Sequence, residues 1–371
     1  VHVGFFTDSY FPEIDGVTYT LELWRDRLRG AGHEVSVIYP GADYEPGAGE
    51  YPVRSLPNPF YQGYRIPTLR RTSTLPDLDV VHCHGPGPIG MLGRYYARKH
   101  DVPAVYTHHT PIEEYFDQAV GSARLGGLLG RVYVPWENAF LDSFDVVTAS
   151  TSRIDRDVEP VELPVGIDTD YFSPRDRRPR DLFPDGWPAD RPVIGYSGRI
   201  SNEKNVAEVL RVAEALPEYR FAVVGEGPYR ERIEAAAPEN VTVRDFLPRE
   251  ELPHFYSAID AFVTASTADT LGLSTLEANA CGTPVVAADV PPFDATIGPE
   301  NGRRFPFGDV AAMAEAIETT LEQSLDTRGA VEQYAVSRTL TQLQTIYRDV
   351  TAGPATETPA TSPASSVAGT D

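Results

Sequence analysis

Three features of the sequence predict an α/β fold built from two doubly wound halves. Short, nearly continuous apolar runs alternate with helix-length amphipathic segments. The alternation halts in a stretch rich in Pro, Asp and Arg near 159–192, then restarts. At 371 residues the chain is long enough to bury two cores. Apolar strands separated by helices argue for parallel sheets covered on both faces.

In order along the chain, VHVGFF (1–6) reads as a buried strand. Residues 18–31 read as an amphipathic helix with Leu21, Trp24 and Leu28 on one face. EVSVIY (34–39), DVVHC (79–83), PAVYT (103–107) and FDVVTA (144–149) continue the strand series. The second half has strands at 192–198, 220–227, 240–246, 260–266 and 284–290, with a helix at 203–216. Residues 308–350 read as two helices, and 351–371 as a low-complexity, disordered tail. The expected organisation is a domain over 1–165, a hinge over 166–191, a second domain over 192–325, and a C-terminal helix over 326–350 packing back on the first domain.

The formal charge is −22, with only Lys99 and Lys204 as lysines. No basic footprint for phosphate backbones is present, which disfavours a nucleic-acid partner. An acid-rich, lysine-poor surface suits molar salt, where self-repulsion is screened; we read a halophilic protein. Two distant cysteines, Cys83 and Cys281, and no secretory pattern at the start of the sequence fit a cytoplasmic protein. No G-x-G-x-x-G turn follows the first strand, and no Walker lysine loop, H-E-x-x-H or G-x-S-x-G is present. His82, Cys83 and His84 lack the further ligands of a metal set.

Several segments occur in a fixed order: TDSYFPEIDGV (7–17), HGPGPIG (84–90), THHTP (107–111), PVGIDTDYF (164–172), GRISNEKN (198–205), FAVVGEGP (221–228) and DTLGLSTLEANACGTPVV (269–286). Together they resemble the family 4 retaining glycosyltransferases, which have a GT-B fold: two Rossmann-like domains facing across a cleft. The last segment is similar to that family's E-x7-E signature, with Glu277 as second carboxylate and Asp269, one methylene shorter, in place of the first Glu.

The resemblance implies a nucleotide-sugar donor, UDP-sugar favoured over GDP-sugar, and no metal or cofactor. It places Arg199 and Lys204 on the donor diphosphate, where negative charge grows as the bond breaks. It sets Gly16, Gly198, Gly225, Leu271, Gly272 and Leu273 around the donor, Glu277 on the ribose hydroxyls, and His109 beside the reacting sugar carbon. It makes His109, Arg199, Lys204 and Asp269 the catalytic candidates. Gly272 reads as the start of a helix whose amides meet an anion.

Residues 51–76 and 118–136 contain no acid, while carrying Arg54, Arg65, Arg70, Arg71, Arg124 and Arg131. Leu125, Leu128, Leu129, Val132 and Trp136 fall on one helical stripe, which reads either as core packing or as an interfacial face on a membrane. Within the family the phrases PFYQGYRIP and THHTPIEEYF most resemble enzymes that glycosylate diacylglycerol or phosphatidylinositol. The implied acceptor is lipid-linked, the location peripheral on the inner face of the cell membrane, and the acceptor-side candidates Tyr10, Asp15, His84, Tyr115, Arg65, Arg70 and Arg71. Alternatives are a soluble acceptor, a GT-B epimerase or hydrolase of sugar nucleotides, and a catalytically dead binder.

Overall fold

A computed structural model describes residues 1–13, 16–57, 65–68, 75–109, 123–151, 154–176 and 191–352, apart from the side chains of 123–126. The first sheet contains β1 (His2–Phe6), β2 (Glu34–Pro40), β3 (Glu50–Val53), β6 (Val80–Cys83), β7 (Ala104–His108), β8 (Val146–Ala149) and β9 (Val161–Glu162). Its order is β3-β2-β1-β6-β7-β8-β9, parallel throughout. A small antiparallel hairpin, β4 (Ser55–Pro57) and β5 (Arg65–Pro67), stands apart from it. The second sheet contains β10 (Val193–Ser197), β11 (Arg220–Val224), β12 (Val241–Arg244), β13 (Ala261–Thr264), β14 (Val285–Ala288) and β15 (Gly302–Phe305). It runs β12-β11-β10-β13-β14-β15, again parallel. These are two Rossmann-like domains in the GT-B arrangement.

Strand order reverses between β1 and β6 and between β10 and β13, so each sheet has a switch point where ligands bind at the carboxyl edge. Side chains alternate across each sheet as the pleat requires. Val3 and Phe5 of β1 enter one core, and Phe6 the other. One apolar cluster runs from Trp24 and Leu28 through Val165 and Phe172 to Phe255 and Leu276, joining the two domains.

The connection between domains is fastened on both sides. The Trp24 indole donates to the Val165 carbonyl at 2.8 Å, and Arg27 pairs with Asp168 at 2.7 Å. Arg328 donates to the Thr169 and Ala280 carbonyls. The last helix, Val336–Ala352, lies on the first domain: Tyr347 meets His82 Nδ1 at 2.6 Å, and Gln342 donates to the Glu162 carbonyl.

Two local expectations change. The helix expected at 203–216 is broken: a 3-10 turn, Asn202–Lys204, precedes an α-helix from Val206 to Ala215. Asn205 between them is left-handed at φ 48°, and its amide reaches the Ala265 carbonyl, holding the turn against the loop after β13. The region expected to hold two helices has Val310–Leu321 and Val336–Ala352, with a short helix, Thr327–Val331, between them. The last helix reaches Ala352, and the rest of the expected tail lies outside the described residues.

Candidate active site

The carboxyl edge of the second sheet is built by close backbone contact. A Cβ on Gly225 would stand 1.9 Å from the Gly198 carbonyl oxygen, and one on Gly227 2.4 Å from that of Ile200. The Ile200 amide donates to the Glu226 carbonyl at 2.8 Å. The loops after β10 and β11 therefore lock face to face, and glycine serves loop-to-loop packing here. The Tyr196 hydroxyl donates to the Arg199 carbonyl at 2.8 Å, leaving the Arg199 side chain exposed at the edge.

Lys204 sits in the 3-10 turn and pairs with Asp269 at 2.8 Å, both side chains about one-fifth exposed. The shorter Asp thus still reaches the lysine. The following helix, Leu273–Ala280, starts after Gly272, which is left-handed at φ 73° with Phe293 2.6 Å from where a Cβ would lie. Leu271 is buried beneath it. The Thr275 and Leu276 amides donate to the Gly272 carbonyl, and the helix start carries a partial positive charge.

Glu277 lies one turn into that helix. The Tyr256 hydroxyl donates to its Oε2 at 3.0 Å. Burial pushes the Glu277 carboxyl up to about 7, against the opposing pull of the Arg249 charge and the Tyr256 hydrogen bond. Arg249 itself is stacked between domains. Its guanidinium carbon lies 4.7 Å from the Tyr19 ring centre in the first domain and 5.4 Å from those of Tyr171 and Phe172. Sequence reasoning missed Arg249 and Tyr256. Each is a lone residue outside any motif, and only the fold brings them to Glu277.

Across the cleft the helix Gly16–Gly30 presents its own N-terminus. A Cβ on Gly16 would approach Leu273 Cδ1 at 3.6 Å, so the two helix starts converge. Asp8 fixes the neighbouring loop. Its carboxylate accepts from the Ile89 amide at 2.8 Å and fills the space beside Gly85 and Gly87, which explains the glycines of HGPGPIG. Burial pushes the Asp8 carboxyl up to about 6.

His109 follows β7, and its Nε2 lies 3.1 Å from Nδ1 of buried His84. His84 packs against His82 with ring centres 4.0 Å apart and the rings tilted by 40°, and His82 is satisfied by Tyr347 and Thr107. Burial holds both imidazoles well below the usual histidine range. His84, an acceptor-side candidate, is therefore buried and lies behind His109. Its neighbour Cys83 points to the opposite face of the sheet, so HCH forms no ligand cluster. His108 turns inward, 3.8 Å from Glu137, which Arg156 holds at 2.6 Å.

Two further acceptor-side candidates are engaged internally. The Tyr10 hydroxyl donates to Glu50 at 2.9 Å and accepts from Arg25 at 2.7 Å. Arg65 donates to Ser55 within the hairpin. Asp15, Arg70, Arg71 and Tyr115 lie outside the described residues. On the helix Ala123–Leu141, Leu128, Leu129, Val132 and Trp136 are exposed, Val132 at 71%. These side chains of the predicted stripe face outward, and Glu137 anchors the opposite side. Among the described residues no helix is long and apolar enough to cross a membrane.

Comparison with known proteins agrees with this fold. Residues 14–171 match the family model described as Glycosyltransferase Family 4, and 177–338 the model described as Glycosyl transferases group 1. An alpha-monoglucosyldiacylglycerol synthase of Streptococcus pneumoniae is 29% identical over 77% of this chain and 71% of its own. A GDP-mannose-dependent alpha-mannosyltransferase of Mycobacterium tuberculosis is 29% identical over 83% and 85%. Among solved structures, sucrose-phosphate synthase from Thermosynechococcus elongatus superposes with a TM-score of 0.73 at 19% identity, covering 95% of this chain and 100% of that one.

Proposed function

We propose that this chain, whose two halves match the models of Glycosyltransferase Family 4 and Glycosyl transferases group 1, moves a hexose from a nucleotide sugar to a lipid-linked acceptor with retention of anomeric configuration. The observation that carries this reading is the convergence of two helix N-termini, at Gly16 and Leu273, on a cleft also faced by Lys204, Asp269 and Glu277. A sugar diphosphate fits that arrangement chemically: amides and Lys204 for the diphosphate, Glu277 for the ribose hydroxyls, Asp269 for the hexose. The organisation assigned to the chain is the one expected from sequence, with the donor held by the second domain and the acceptor met by the first.

Catalysis in this reading is electrostatic. As the sugar–phosphate bond breaks, charge grows on the diphosphate, and Lys204, Arg199 and the helix amides stabilise it without reorganising. Lys204 carries three donors, so it can hold Asp269 and the diphosphate together. The acceptor oxygen forms its bond on the face the diphosphate leaves, and the departing phosphate oxygen takes the acceptor's proton. His109 hydrogen-bonds the hexose. Asp269 and Glu277 are not a hydrolase pair: Lys204 neutralises the first and Tyr256 hydrogen-bonds the second.

A lipid acceptor is supported by the relative that makes glucosyldiacylglycerol and by the outward apolar face of Ala123–Leu141. That face, with exposed Arg131 beside it, suits peripheral binding to the cytoplasmic side of a membrane. UDP-sugar is the favoured donor. GDP-mannose is the second reading, favoured by the mannosyltransferase relative.

The test is to incubate the protein with UDP-glucose, UDP-galactose or GDP-mannose and vesicles containing diacylglycerol. Glycolipid formed from one donor, with the donor's anomeric configuration read by NMR, is the expected result. Free sugar released without acceptor, or a product of inverted configuration, overturns the proposal.

A further inference from the structure

The buried imidazoles behind His109 fix more than its position. His84 Nδ1 and His109 Nε2 lie 3.1 Å apart, so one of the two nitrogens carries the shared proton. His84 Nε2 is buried and, among the described residues, meets no hydrogen-bond partner. A proton on that atom would be an orphaned buried N–H, the rarest kind of unsatisfied group in a folded protein. The alternative places the His84 proton on Nδ1, where it is used, and leaves only a bare lone pair on Nε2. The surroundings disfavour the third possibility, a His84 protonated on both nitrogens. Phe5 and Trp24 pack edge-on against the His84 ring at 5.0 and 5.9 Å between ring centres, and His82 lies at 4.0 Å, so the pocket offers little to stabilise added charge.

We infer that His84 is a positioning residue: it donates from Nδ1 to His109 Nε2, so that His109 carries its own proton on Nδ1 and serves the reaction as a hydrogen-bond donor. His109 Nε2 is then occupied and is not a base for the acceptor hydroxyl. This rests on the proposed placement of His109 beside the donor hexose, and it goes beyond that placement by giving the nitrogen and the direction of the bond. It also gives the buried pair a shared purpose. His82, held by Tyr347 and Thr107, supports the His84 ring from beneath.

The experiment is a long-range proton–nitrogen correlation spectrum of the full chain labelled with nitrogen-15 on histidine, with the His109 signals assigned by their loss in His109→Asn. The expected result is a neutral His109 with its proton on Nδ1. In His84→Phe the proton on His109 should shift toward Nε2, and kcat should fall about tenfold, the worth of one hydrogen bond, with the donor Kd unchanged. His84→Asn, whose side-chain amide can donate from nearly the same place, should restore both the tautomer and most of kcat.

A His109 protonated on Nε2 in the unaltered protein overturns the inference, and so does a tautomer unchanged in His84→Phe. If His84→Phe fails to fold, the unaltered spectrum and His84→Asn still decide the matter. If the tautomer responds as expected but His109→Asn retains full activity, the placement of His109 at the reaction fails while the role of His84 toward His109 stands.

Discussion

With Glu277 on the donor's ribose, as proposed, its raised carboxyl makes donor binding a reporter of its ionisation. Only the carboxylate accepts hydrogen bonds from two neighbouring ribose hydroxyls. With the group titrating at about 7, its ionised fraction falls from about nine-tenths at pH 8 to about one-hundredth at pH 5. Donor Kd should therefore rise about tenfold between pH 8 and pH 6 and about a hundredfold by pH 5. A sugar diphosphate diester has no group titrating in this range, so the slope belongs to the protein. Glu277→Gln keeps the shape but accepts neutral hydrogen bonds only. Losing about 1.5–3 kcal/mol of charge-assisted bonding should raise its Kd about 10- to 100-fold at pH 8, with a flat profile below. The two curves should then meet between about pH 5 and pH 6. Calorimetry in buffers of different ionisation enthalpy provides an independent count: the unaltered protein should release about 0.9 proton per donor bound at pH 6, and Glu277→Gln none. A flat wild-type profile with no proton release would falsify the argument that this carboxylate binds the donor.

Other consequences are measurable separately. Lys204→Ala removes the cation proposed for the diphosphate and strands Asp269, so donor affinity should fall at least about tenfold by calorimetry, and an unaltered Kd would remove Lys204 from the donor site. Val132→Glu combined with Trp136→Ala should weaken sedimentation with diacylglycerol vesicles at least about tenfold while leaving donor binding intact. Equal vesicle binding by this double variant would return the helix face to a role without membrane contact. The −22 charge predicts a thermal midpoint several degrees higher in about 3 M KCl than in about 0.1 M, and a midpoint that falls with salt would dismiss the halophilic reading.

Much of the fold was legible because central parallel strands are buried on both faces and announce themselves as apolar runs. The strands that escaped notice are edge or polar ones. β15 reads Gly-Arg-Arg-Phe, and its Arg304 pairs with Asp289 at 3.1 Å. β3 holds a Pro and Glu50, whose charge is neutralised by Arg25, twenty-five residues earlier. The candidate site was legible where a motif supplies a loop, as at Gly198–Lys204 and Asp269–Glu277, whose Lys204 and Asp269 the fold brings together. It was illegible where a single side chain arrives from elsewhere. Arg249 stacks on Tyr19 across the cleft, and nothing local in PREEL signals it. Tyr10 reads from the sequence as an acceptor-side candidate, and only the fold brings Arg25 and Glu50 to its hydroxyl. The apolar stripe on Ala123–Leu141 had two readings that periodicity cannot separate, since it gives a face but not what the face meets.

The hydrogen bond between Tyr347 and His82 spans 265 residues of chain. A ribosome emits the first sheet long before the residue that satisfies its buried histidine. Until the final helix emerges, the His82 ring of β6 has only Thr107 as partner and its Nδ1 is left unpaired in an apolar surround, and Trp24 and Leu28 lack part of their covering. The first domain is thus held in an incomplete state through most of synthesis, and its completion coincides with completion of the second. Full assembly of the His82, His84 and His109 row therefore waits for nearly the whole described chain, which ties the chemical competence of one domain to the successful folding of the other.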